Sequence, residues 1–83
     1  MQKMTITDKL ERHRIKTINY LTYSAASMLR DDDINNTHNV KASWDAFNNV
    51  YLPELKPIVE KLIEQNVSHI YIPRMAKKIW MDS

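Results

Sequence analysis

The sequence predicts an all-α, or mostly α, fold, and three observations carry that expectation. None of the 83 residues is glycine, so tight turns needing a positive φ must fall on asparagine or aspartate, which suits a helical chain. Two long stretches repeat apolar residues at intervals of three and four, the period of a helix with one buried face. Only one short run, VSHIYIP, alternates as a strand would, and a lone strand is rarely stable.

The first helix is expected over about 7–30. Thr7 or Asp8 can cap it, and Asp8 with Glu11 fits the reciprocal capping pattern. Leu10, Ile18, Leu21, Ala25 and Met28 form its stripe, widened by Ile15, Thr22, Ala26 and Leu29, and the small residues Ser24 and Ser27 allow close approach of another helix. Residues 31–39, DDDINNTHN, are read as a turn. Asp31, Asp33, Asn35 and Thr37 sit in the register that opens a calcium loop. The sixth position, however, is Asn36 instead of glycine and the twelfth is Ala42 instead of a bidentate glutamate, so too few carboxylates remain to hold the ion. Aspartates beyond a helix C-terminus also oppose its dipole, which favours ending the helix there.

A second helix is expected over about 40–65, opened by Asn39 as cap. Val40, Trp44, Phe47, Tyr51, Leu55, Ile58 and Leu62 step along it as one seam. Pro53 and Pro57 interrupt the backbone bonding but not the apolar phase, so the element is either kinked near 50–57 or broken into two helices, and the kinked form is preferred. Asn66 can end it in the left-handed conformation. Residues 67–72 then read as an extended segment, and Pro73 opens a short helix over about 73–81. The whole is one domain, an antiparallel helical hairpin closed by the extended segment and the last helix.

Composition narrows the function classes. Hydrophobic residues are 43% and charged residues 27% of the chain, an ordinary globular balance. Without cysteine there is no disulfide framework and no thiolate metal site. Without glycine there is no phosphate-cradling loop and no nucleophile elbow. His13, His38 and His69 share no ligand spacing, so no metal is expected and no cofactor is implied. The serines lie in no nucleophile context and Glu54, Glu60 and Glu64 read as a solvated face, so no catalytic residues are assigned and a non-enzyme is expected. No run of roughly 18 apolar residues is present, so no membrane partner is expected. The first residues lack the apolar centre of a secretory signal, so a cytoplasmic protein is expected. The net charge of +2 divides into +4 over 1–30, −4 over 31–66 and +2 over 67–83.

Two sets of residues carry the functional expectation. Trp44, Phe47, Tyr51, Ile70, Ile72 and Trp80 are expected to form an interface, because two tryptophans, four tyrosines, one phenylalanine and five methionines exceed what so short a chain can bury. Arg12, Arg14, Lys16 and Tyr20, with Arg74, Lys77 and Lys78, place cations beside rings, as binding of an anionic ligand or partner requires. The expected function is a small non-enzymatic interaction protein. It would act as a homo-oligomer that binds another protein and blocks or sequesters it, as small phage accessory proteins that inhibit host machinery do. The alternative is a binder of nucleic acid or of a small anionic ligand such as a nucleotide.

Overall fold

The computed structural model describes residues 6–83, and within them every regular element is helical. Helix α1 spans Ile6–Thr37, α2 spans Val40–Ala46, a π-helical segment spans Phe47–Tyr51, α3 spans Leu52–Glu64 and α4 spans Ile72–Met81. Arg14 lies against Glu64 and Asp33 against Tyr51, so α1 and the rod formed by α2, the π segment and α3 run in opposite directions. Helix α4 packs on both α1 and α3.

The π segment answers a local conflict. A proline at 53 has no amide hydrogen and its ring crowds the carbonyl four residues earlier. Just before it, the Leu52 amide donates to the Phe47 carbonyl, an i to i+5 bond that widens the turn. Right-handed helical angles persist on both sides, with φ −62° and ψ −42° at Ala46 and φ −58° and ψ −51° at Leu52. The rod therefore does not end at the prolines.

The connection between α1 and α2 is far shorter than the residue types suggest. The expected turn at 31–39 is corrected: residues 31–37 are helical, and only His38 and Asn39 link the helices. His38 takes the left-handed conformation at φ 57° and its amide donates to the Ile34 carbonyl at 2.9 Å. Asn39 then caps α2, its side chain accepting from the Ala42 amide at 3.0 Å. The aspartates stay in the helix because each finds a donor: Arg30 reaches Asp31 at 3.2 Å, Lys77 reaches Asp32 at 2.7 Å, and the Tyr51 hydroxyl donates to Asp33. Two of these donors belong to other elements, and they offset the adverse dipole.

The expected extended run at 67–72 is likewise corrected. Helix α3 closes in a Schellman arrangement with Asn66 left-handed at φ 59°, Val67 donating to Leu62 at 3.1 Å and Asn66 to Ile63 at 3.0 Å. The chain then coils on itself, Tyr71 donating to Ser68 at 2.9 Å and Ile72 to His69 at 3.3 Å. Local bonds thus satisfy the amides of Val67, Tyr71 and Ile72, half of those a strand over 67–72 would have carried.

The core gathers Ile18, Leu21, Ala25, Ala26 and Leu29 of α1, Phe47 and Tyr51 of the π segment, Leu55, Val59 and Leu62 of α3, and Ile72 and Ala76 of α4. Thr22, buried among them, donates its hydroxyl to the Ile18 carbonyl at 2.6 Å. No buried member of α1 precedes Ile18. A helix of 32 residues is about 48 Å long, and that length sets the 49 Å long axis of the molecule. The other elements cover only part of it. Leu10 and Ile15, which share the period of the core stripe, are therefore exposed, Leu10 by 65%.

This division predicts contrasting stabilities. Leu55→Ala removes a fully buried side chain and is expected to cost about 2–5 kcal/mol, whereas Leu10→Ala should change unfolding free energy by less than about 0.5 kcal/mol. Urea unfolding followed by circular dichroism measures both, and equal costs would contradict the overhang of the first helical turns.

Candidate interaction surfaces

Three of the residues expected at an interface are withdrawn from the surface by the fold. Phe47 and Tyr51 are 3% and 8% exposed, and Ile72 is fully buried at the start of α4. They fill the molecule's own core, because the widened turn at 47–51 and the coiled 68–71 connection aim them inward. Ile70, beside them in sequence, is 78% exposed. Trp44 is 42% exposed, and Trp80 is partly buried against the core.

Each tryptophan is anchored on one side. Trp80 packs edge-on to Tyr51 with ring centres 5.2 Å apart, and its indole N–H donates to Glu54 Oε1 at 3.2 Å. Trp44 packs edge-on to Phe47 at 5.4 Å, and the Arg30 guanidinium lies 4.3 Å from its ring centre. A cation held over a ring in this way adds attraction to the packing. Arg30 is a residue that sequence reasoning missed, because its significance depends on rings more than a dozen positions away.

From Ile70, one of the residues expected at an interface, an exposed apolar stripe continues into α4. Tyr71, the residue before α4, and Met75 and Ile79 within it recur at intervals of four and are all exposed. Arg74 and Lys78 lie beside this stripe. The signal was present in the sequence as helical spacing, but an extended reading of 67–72 hid it by placing Tyr71 and Ile70 on opposite faces. A second exposed set, Ile6, Leu10 and Ile15, lies on the overhanging turns of α1.

The cationic residues fall into two groups, not one. Arg12, Arg14, Lys16 and Tyr20 are exposed on the first half of α1, with Arg14 making a loose ion pair to Glu64 at 3.9 Å. Arg74, Lys77 and Lys78 meet Met28, Met81 and Asp82 around a cleft of about 430 Å³ between α1 and α4. Lys16 and Met28 are separated by roughly 18 Å along the helix axis. Lys77 is also engaged by Asp32, so the second group is partly neutralised.

Among the described residues, no cluster of His, Asp and Glu is arranged to hold a metal ion. Nor is any described helix long and apolar enough to cross a membrane. Comparison with family models, with curated proteins and with solved structures finds no match for this chain.

Among the described residues, the Tyr51 phenol stands out by its surroundings. Burial, the hydrogen bond to Asp33 and the nearby carboxylate charge, in that order, push its phenol up from 10.0 to about 12. The unfolded chain loses this proton first as pH rises, so the stabilisation is complete below about pH 10 and is lost progressively towards pH 12. Tyr51→Phe is expected to lower stability at neutral pH by about 1–3 kcal/mol and to flatten the alkaline decline. Chemical unfolding across pH 8–12 tests this, and an unchanged alkaline slope in the variant would contradict it.

Proposed function

We propose that this chain is a non-enzymatic helical interaction module that associates with itself and with another protein, blocking or sequestering that partner. The observation that carries the reading is the row Ile70, Tyr71, Met75 and Ile79, an apolar stripe left open along α4 in a domain that has already filled its core. Rings and long flexible side chains flanked by cations are the composition of an interface centre. The partly exposed Trp44 and Trp80 extend the surface on which an anchor could form.

Sedimentation over a range of concentrations tests self-association. The wild type should shift to a larger species by high micromolar concentration, and Ile70→Asp combined with Met75→Glu should return it to monomer without loss of helix content. A wild-type monomer throughout would remove the oligomeric part of the reading.

A second reading is a small anionic ligand, such as a nucleotide, and the Arg74, Lys77 and Lys78 cleft favours it. Arg74 and Lys78, with Lys77 shared with Asp32, stand beside the two thioethers of Met28 and Met81 and suit a phosphate and a base together. A ligand present at 100 times its dissociation constant should add about 2.7 kcal/mol to stability. A thermal-shift panel of nucleotides is expected to show that gain for at least one member, and to lose it in Arg74→Ala. No shift at millimolar ligand would dismiss the cleft as a nucleotide site.

A further inference from the structure

Pro53, Glu54, Pro57 and Ile58 are neighbours one and four positions apart, so they share one face of α3. Together with Trp80, Met81 and Ser83 at the end of α4, that face lines an open cleft of about 640 Å³. Its walls are proline rings, an indole, an isoleucine and a thioether. The one charged side chain among them is Glu54.

This carboxylate is held in place but not neutralised. Its Oε1 accepts the Trp80 indole N–H at 3.2 Å, which fixes acid and ring beside each other. The buried Tyr51 ring packs edge-on with the same indole, ring centres 5.2 Å apart. Among the described residues, no lysine, arginine or histidine pairs with Glu54, and no hydrogen bond reaches its Oε2. Arg74, Lys77 and Lys78 line the neighbouring cleft, which shares Met81 with this one but not Glu54. Two backbone features add to the negative potential. Pro57 has no amide to offer the Pro53 carbonyl, so that acceptor lacks its usual helical donor. Trp80 and Met81 are the last residues of α4, where the helix dipole favours a cation.

We propose that this cleft receives an arginine side chain of a protein partner. The guanidinium donates to Glu54 Oε2 and lies against the Trp80 indole, while Pro53, Pro57 and Ile58 cover its methylene stem. Arginine suits the cleft better than lysine. Its planar cation stacks on a ring, and it is more weakly hydrated than a compact ammonium, so it loses less solvation among apolar walls. A neutral side chain leaves the carboxylate unpaired, and an acidic one is repelled by it. Glu54 also belongs to the segment 31–66, whose net charge of −4 steers a basic partner towards it. The inference rests on the interaction-module reading and names the chemistry of one anchor on the partner.

The test is a titration of the isotopically labelled whole chain with N-acetyl-L-arginine methylamide at constant ionic strength. The citrulline analogue, of the same shape without the charge, is the reference, and the lysine analogue is compared with both. The reporter is the Trp80 indole N–H in nuclear magnetic resonance spectra. Trp44, which lines no part of the cleft, is the internal control. A saturable shift of Trp80 alone is expected with the arginine compound, none with the citrulline compound, and weaker binding of the lysine compound. Glu54→Gln keeps an oxygen for the indole N–H and removes the charge at an exposed position, so helix content should be unchanged. It should weaken arginine binding roughly tenfold, the loss of one hydrogen bond between charged groups. Equal responses to the arginine and citrulline compounds would overturn the proposal. So would arginine binding that survives Glu54→Gln, lysine binding at least as tight, or a parallel shift of Trp44. If sedimentation shows association while the arginine compound leaves Trp80 unmoved, the cleft is refuted and the module reading stands. A saturable shift that depends on Glu54 in a strict monomer supports the cleft and counts only against self-association.

Discussion

The close approach of α1, α3 and α4 is the constraint from which the remaining features follow. Ala25 and Ala26 of α1 and Ala76 of α4 are wholly buried in one cluster with Leu55, Val59 and Ile72. Methyl-sized side chains let helix backbones come near, and the larger aliphatic groups of α3 fill the space that remains. A chain without cysteine has no disulfide to hold three helices together, so this packing carries most of that task. Because this contact occupies the second half of α1, the first half extends past it, and the molecule is elongated. Its radius of gyration is 14.8 Å, against about 12 Å for a compact domain of this length.

Polar ties reinforce the same three-helix contact instead of forming a site of their own. Asp31, Asp32 and Asp33 look like a cation loop in sequence, yet each is engaged by a donor from α1, α4 or the π segment. The Tyr51 hydroxyl bonded to Asp33 and the Tyr51 ring against Trp80 join α1, the π segment and α4 through one side chain. A residue so employed is not free for a partner, although its aromatic character suggested one. The apolar surface that remains open lies at the margins, along α4, on the rim beside Arg30 and on the overhanging turns.

Those margins are where an interaction protein of this size would place its contacts. A small core leaves little interior to enclose a reaction, and its helices offer faces more readily than cavities.

Sequence alone determined what depends on residues within a turn of one another. The helical class, the Asn39 cap, the left-handed Asn66 and the interrupted helical bonding before Pro53 all arise from interactions between residues at most a few positions apart, which residue type and spacing express directly. Tertiary structure decided whatever needed a distant partner. Asp33 remains helical because of a tyrosine eighteen positions away. Residues 67–72 coil with local bonds because no described element is a strand that could receive their amides, and Phe47, Tyr51 and Ile72 are interior because they pack in one cluster with residues of α1 and α3. Arg30 acquired its aromatic surroundings in the same way. Periodicity marks which faces are apolar. Which of them meets another helix and which meets water is settled only by how much of a long helix the rest of a short chain can reach.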